Sequence, residues 1–496
     1  MPNLDNQNLD RDRILNQIQQ LTNAKKYSTN SFILTCRIAA REYTFEKFTE
    51  VEVADFEDEQ IQTFVSKWFQ VKESDLADYF MEQLKRNPSI KELATNPLLL
   101  TLLCIEFEDS GEFPSNRSEL YSRAIHTLLR KWDAKRRIDR QQVYKKMSVQ
   151  RKEDLLSEVA FTTFKQGDYF FKQRDVEQYI ADYIRNLPDA KTDPEALLLD
   201  GEAVLKSIEA QHGLLVERAR GIYSFSHLTF QEYFTAREID AKADLEELAN
   251  RVTEKRWREI FLLTPGMMRD ASQLMQLMKW KIDGLVASDK KIQQFLSWVN
   301  QKSSSVDASY KPAAVRAFYL SLDLCFSQSI DLSLSQSIDF SRSLDLSLDL
   351  FLDFSLDLSL DLCLSRSLFL CLSRSLDLSL DLSLDQSLSQ VEIIAPKLKY
   401  SLQQLKGQLP NPEKDKEQLK QWWEFNGKAW TEQLRAVMIE HRNIGHNWQF
   451  NEQQQELLNQ YYNANKLLVD CLNSDCYVSQ EVRQEIEDTL LLPMAD

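Results

Sequence analysis

Three residues of the right chemical type to meet a phosphate stand where the pattern of the chain changes. Arg37 follows the short apolar run FILT in FILTCR, residues 32–37. Ligands of open α/β sheets bind beyond the carboxyl ends of strands, and a guanidinium placed there presents a planar fork of donors. The same position also suits a solvated arginine at a strand end. Pro97, in TNPLLL, can lay a flat ring on a purine. It also fits the first turn of a helix, where its missing N–H costs nothing. His227, one of five histidines, lies in GIYSFSHLTFQEYFTA between an aromatic strand-like run and an aromatic helix-like run. Just ahead of a helix N-terminus, where N–H groups and the dipole favour anions, a neutral imidazole can donate to a phosphate oxygen. The alternative is a histidine satisfied inside a core of Phe225, Phe230, Tyr233 and Phe234.

A second set has metal-ligand chemistry. His441 and His446 form H-x₄-H, and Cys471 and Cys476 form C-x₄-C. Both spacings sit at the edge of what zinc accepts, and residues five apart on a helix fall on different faces. No metal is assigned; the four remain weak candidates. Acid pairs such as Glu57 with Asp58, and Asp109 with Glu112, read as solvated helix ends. The basic run RKWDAKRRIDRQQVYKK, 130–146, reads as a solvated or docking face. No Ser-His-Asp or Cys-His set has supporting context, so no catalytic residue is assigned.

These residues need elements to position them. Hydrophobic residues make up 43% of the 496, with only 10 glycines and 12 prolines. That composition favours a mostly helical protein with room for several domains. A net charge of −16 argues against nucleic-acid binding by the whole chain. The seven cysteines are scattered in apolar or repetitive settings, as expected of reduced thiols in the cytoplasm. No apolar run approaches the roughly 18 residues of a membrane span.

Along the chain, the spacing predicts a helix over 10–21 and short strands at 32–34 and 51–56, an α/β piece too small to make a complete parallel sheet. A helix follows with Ile61, Phe64, Val65 and Trp68 on one face. Further helices cover ATNPLLLTLLCIEFE and 115–133, the latter with Ser115 and Ser118 as possible caps and Leu120, Ala124, Leu128 and Trp132 on one face. Three helices lie between 151 and 213, then strands at 214–217 and 222–225 joined by an ARG turn, then a helix opened by a capping box of Thr229 and Glu232. This order suggests a winged helix, whose hairpin carries Arg218 and Arg220. Residues 241–317 are helical. Residues 318–390 repeat SLDL, SRSL and SLSQ; period two is a strand signal, yet a stacked β arrangement, a leucine-covered helical array and partial disorder all stay open. Four or five amphipathic helices close the chain.

Four blocks in this order, FILTCR, NPLLLTLLC, FPSNRSELY and FSHLTFQEYFTA, resemble the bacterial NACHT-type STAND NTPases, cyanobacterial-type members in particular, over about residues 10–245. The last block is the most specific. The resemblance implies a remnant of the nucleotide-binding domain at 1–56, a helical domain at 57–147, a winged helix at 148–245 and a second helical domain at 246–317; the repeats mark a low-complexity tract at 318–392, and the helical domain at 393–496 resembles a C-terminal cysteine-and-histidine helical domain appended to such NTPases. It implies that Arg37 senses the terminal phosphate, that Pro97 lies beside adenine, and that His227 bonds the ADP β-phosphate in a closed resting state. The expected cofactor is ATP or ADP with Mg²⁺. The chain departs from the family pattern, since it contains no G-x-x-x-x-G-K-[ST] cradle: its one Gly-Lys pair, Gly427-Lys428, lacks the upstream glycine and the Ser/Thr. No acidic strand end for magnesium precedes Arg37 either. The expectation is therefore a truncated or split member that does not hydrolyse ATP alone. A separate chain would supply the P-loop half, a homo-oligomer is conceivable, and neither nucleic acid nor membrane is a partner. The role implied is defence or stress signalling; the alternative is a non-enzymatic helical scaffold for a protein partner.

Overall fold

The computed structural model describes Phe32 and residues 56–70, 74–114, 116–135, 147–187, 193–306, 310–326, 361, 364–365, 387–388, 396–409, 416–474 and 476–494. The chain divides into two compact units, Met1–Thr101 and Leu102–Asp496. The helix expected over 10–21, most of the basic run 130–146 and the strands at 32–34 and 51–56 lie outside the described residues, except Phe32 and Phe56, which belong to neither helix nor strand.

In the first unit, α1 (Asp58–Phe69) opens with a capping box in which Glu57 and Gln60 satisfy each other's backbone N–H. Its buried stripe is Ile61, Val65 and Phe69; Phe64 and Trp68, expected on that face, are only half-buried and stack on each other at 5.9 Å. Phe69 packs on Phe80 of α2 (Ser74–Arg86) at 5.8 Å, and α3 (Pro88–Ala94) adds Ile90 and Ala94 to the same core. The next helix, α4, runs Pro97–Ser110.

The second unit is mostly helical, with one small sheet. α5 (Arg117–Lys135) is capped by Asn116, whose Oδ1 accepts from Glu119 N at 2.8 Å. The expected cap Ser118 instead lies inside the helix and donates to Leu263 O at 2.7 Å, while Ser115 lies outside the described residues. α6 (Val149–Gln166) is capped by Ser148 and closed by Gly167 at φ 83°. There follow β1 (Phe171–Lys172), α7 (Gln173–Arg185), α8 (Pro194–His212), β2 (Leu215–Ala219), β3 (Ile222–Phe225) and α9 (Leu228–Lys242). The sheet is antiparallel in the order β1-β3-β2, pairing Phe171 with Tyr223 and Leu215 with Phe225. The two-residue β1 is too short to leave a periodic signal. α9 begins after His227, not at a Thr229 capping box: Thr229 is already helical, so it cannot hold the extended conformation a cap requires.

Beyond α9 lie α10 (Leu245–Ala249), a 3₁₀ turn at Lys255–Trp257, α11 (Arg258–Met267), α12 (Ser272–Val286), α13 (Lys290–Ser304) and α14 (Pro312–Phe326). α14 carries the chain nine residues into the repetitive tract as helix, and the other described residues of that tract, 361, 364–365 and 387–388, are helical too. The C-terminal helices are α15 (Pro396–Lys406), α16 (Lys416–Arg442), α17 (Glu452–Asn473) and α18 (Gln480–Thr489). α9 packs on α6 and α11, and α12 packs on α17 and α18. Among the described residues no helix is long and apolar enough to cross a membrane.

Candidate functional site

The junction between β3 and α9 is built by hydrogen bonds to the backbone. Ser226 N donates to Leu214 O at 2.8 Å, which closes the hairpin one step beyond its last ladder pair. Arg218, on the wing, reaches back: its Nε donates to Ser224 Oγ at 2.9 Å and its Nη2 to Ser226 O at 2.8 Å. This fork pins the chain immediately before His227, so Arg218 is committed to the fold rather than presented as a free cation.

His227 itself is extended, at φ −132° and ψ 142°, and serves as the residue before α9. Its carbonyl accepts from Phe230 N at 3.1 Å, while its side chain makes no capping bond. The imidazole is exposed and stands edge-on to Phe230, with ring centroids 5.8 Å apart. The aromatic core does exist behind it: Phe225 meets Phe234 at 6.1 Å and Phe171 at 6.3 Å. His227 is exposed and touches that core only at Phe230. The imidazole thus lies on the surface at a helix N-terminus, in edge contact with Phe230.

α9 is anchored so firmly that this N-terminus has little freedom. Gln231 Nε2 donates to Thr163 Oγ1 at 2.9 Å and Asp168 O at 3.0 Å. Arg237 binds Asp154 at 2.8 Å and Ser157 at 3.1 Å, with Glu153 at 3.6 Å. Burial pushes the Glu153 carboxyl up, and Arg237 opposes that shift. Arg256 clamps the far end of α6 through Phe164 O at 2.8 Å, with its guanidinium over the Phe164 ring. Gln231 lies within the FSHLTFQEYFTA block, while Arg237 and Arg256 lie outside all four blocks.

Pro97 is the first residue of α4 and is exposed. Asn96 precedes it as cap, its Oδ1 accepting from Leu99 N at 3.3 Å. Pro97 belongs to the first unit and His227 to the second. Arg37 lies outside the described residues. Of the four metal candidates, Cys471 is buried, donates its thiol to Phe261 O at 3.2 Å and has its pKa pushed far up by burial. Cys476 donates to Cys471 O at 3.3 Å. His446 pairs with Asn443 Oδ1 at 2.8 Å and packs against the Trp298 and Trp448 rings; burial lowers its pKa. His441 is half-buried near the end of α16. No group of three or more His, Cys, Asp or Glu side chains able to hold a metal occurs among the described residues.

A polar constellation that motif reading missed lies at the start of the repetitive tract. Asp361, fully buried, takes Tyr319 Oη at 2.8 Å, Lys302 Nζ at 3.1 Å and Arg442 Nε at 2.6 Å. Asp323, also fully buried, takes Gly445 N at 2.7 Å and Trp448 Nε1 at 2.6 Å. Burial pushes the Asp323 carboxyl up to about 7, against the pull of those donors and of Arg435. In α14 the period-two pattern is coiled into a helix whose residues Leu320–Leu324 are all buried, Asp323 among them.

Comparison with known families gives two matches. Residues 117–239 match the winged helix-turn-helix domain C-terminal to NACHT, and residues 398–493 match the NACHT C-terminal helical domain 2. No curated protein and no solved structure matches the chain. The two domains, in this order on one chain, support a NACHT-family protein of the signalling type.

Proposed function

We propose that this chain is the regulatory part of a NACHT-type STAND switch, in which His227 bonds the β-phosphate of ADP and holds a closed resting state until ATP replaces it. The observation that carries this reading is the position of His227. It is exposed at the N-terminus of α9, outside the aromatic core, within the segment that matches the winged helix. A neutral imidazole can donate to a phosphate oxygen, and the first turn of the helix favours the same charge. In this reading Pro97 stacks on adenine and Arg37 meets the terminal phosphate. The phosphate cradle that would hold Mg²⁺ comes from a P-loop segment, for which 1–496 contains no G-x-x-x-x-G-K-[ST] sequence. A P-loop segment outside residues 1–496, on a separate chain or on more of this one, supplies that half, and exchange of the nucleotide frees the winged helix for self-assembly in defence or stress signalling.

The test is ADP binding by the full chain, followed by calorimetry and by the His227 imidazole NMR signal. Without a cradle the affinity is expected to be weak, about millimolar. The imidazole resonance should shift with ADP, and His227→Ala should weaken binding several-fold. A lone chain that holds ADP at nanomolar strength would overturn the split pocket. An imidazole blind to ADP, with affinity unchanged in His227→Ala, would leave a helical scaffold for a protein partner.

A further inference from the structure

α11 stands between α17 and α5. Toward α17, Arg258 binds Asp470 at 2.7 Å, and Phe261 O accepts the Cys471 thiol at 3.2 Å. Toward α5, Leu263 O accepts from Ser118 Oγ at 2.7 Å. The approach there is close: a Cβ on Gly266 would stand 2.8 Å from Ser118 Oγ. Glu259, the neighbour of Arg258, faces the first residue of α5, with its Oε2 3.2 Å from Arg117 Nη1.

α5 in turn meets α9. Tyr121, four residues after Arg117 and so on the same face of α5, packs on Tyr233 with ring centroids 5.6 Å apart. Glu232, 7% exposed and five residues after His227, acts by charge on both Arg117 and Tyr121. One guanidinium therefore lies in the field of two carboxylates on different helices, Glu259 on α11 and Glu232 on α9. It satisfies Glu259 incompletely. Arg117 Nε, Tyr121 Oη and Glu259 Oε2 are buried and make no hydrogen bond, so the 3.2 Å contact is a charge pair out of line for one. Buried groups left unmet are costly, and a small shift of either helix changes that cost.

We propose that Arg117 is a positioning residue for His227: it joins α9 to α11 and so passes a displacement of the C-terminal helices to the imidazole. The anchors of Gln231 tie the start of α9 to α6 and the loop after it; Arg117 adds a charged link from α9 to α11, beyond their direct packing. That this coupling governs a ligand rests on the nucleotide reading. The coupling itself does not, and its test is run without nucleotide.

The full chain carries isotope-labelled histidine, and the His227 imidazole resonance is assigned by its loss in His227→Ala. Arg258→Met together with Cys471→Ala loosens α17 from α11, and this pair is expected to shift the His227 resonance. With Arg117→Met already present, its far-UV circular dichroism unchanged, the same pair should produce no further shift; Arg117→Lys should restore part of the response. Such non-additivity is what a merely stabilising arginine would not give. A His227 resonance blind to the loosening pair overturns the proposal. So does a response of equal size with Arg117→Met, which would assign the coupling to direct packing of α9 on α11. Should Arg117→Met fail to fold, Glu259→Gln, which removes only the charge on α11, takes its place in the same comparison. A wild-type imidazole that answers the loosening pair through Arg117 but ignores ADP would leave the coupling standing and the nucleotide reading refuted.

Discussion

Asp323 turns both carboxylate oxygens toward N–H donors, yet no water reaches it. The donors favour the ionised form and burial favours the neutral one; burial wins far enough to push the carboxyl up to about 7. In the unfolded chain the same group titrates near pH 4. Between about pH 4 and 7 the native state therefore holds a proton that the unfolded state has lost, and stability falls as pH rises. The contribution is fully present below the unfolded value and gone above about 7. Asp323→Asn removes the titration while keeping one acceptor. Its urea-unfolding free energy, followed from pH 4.5 to 8, should rise relative to wild type by up to about 1.4 kcal/mol per pH unit and level off above 7; parallel curves would refute the assignment. Arg237 has the opposite character. It is the cation that makes Asp154 and Glu153 tolerable between α6 and α9. Arg237→Met should cost roughly 3 kcal/mol in the same assay, because two partly buried carboxylates lose their partner.

At the scale of elements, the helices of the second unit were legible wherever one face is apolar and a stop signal follows. α8 ends at Gly213, and Gly213 takes φ 60° as a helix terminator should. The hairpin was legible from its turn, where Gly221 takes φ 70°. Helix starts were less so. Sequence offers Ser115, Ser118 and Thr229 as caps, but the cap is whichever residue leaves the extended region last, and tertiary contacts decide that: Asn116 and His227 hold those places. The repetitive tract was illegible for a different reason, since a period of two fits a strand and also a helix buried on all sides. Packing between helices leaves its own trace at Gly201, where α8 crosses α7. A Cβ there would stand 2.6 Å from Glu177 O. Alanine is the better helix former by about 1 kcal/mol, yet Gly201→Ala is expected to lower stability by roughly 1–3 kcal/mol as the two backbones are forced apart. A more stable variant in thermal unfolding would show that the helices part freely.

The candidate site was legible in the whole molecule only in part. The surface position of His227 follows from the junction of strand and helix, and Gln231 lies in the same FSHLTFQEYFTA block; its bonds to Thr163 and Asp168, and that of Arg256 to α6, work at long range, which no motif announces. What joins the helices after α9 to the C-terminal helices is likewise long-range. Arg258 binds Asp470 at 2.7 Å, Ala271 N donates to Tyr477 O at 2.9 Å, and Lys311 meets Glu487 at 2.9 Å. The strongest tie is Arg316, 4% exposed on α14. Its Nε donates to Leu490 O at 2.7 Å and its Nη2 to Asp488 O at 2.9 Å and Glu487 O at 3.1 Å. These carbonyls end α18, where a cation also answers the helix dipole. With such ties the second unit should unfold as one body, so that circular dichroism and tryptophan fluorescence trace the same denaturation curve. Arg316→Met leaves three carbonyls without their donor and should lower the unfolding free energy by roughly 2–4 kcal/mol. Because α18 packs against both α12 and α14, that loss should move both signals together. A C-terminal transition that separates from the rest already in the wild type would mean that the two matched domains are independent modules, and that a signal arriving at the last helices has no rigid path to His227.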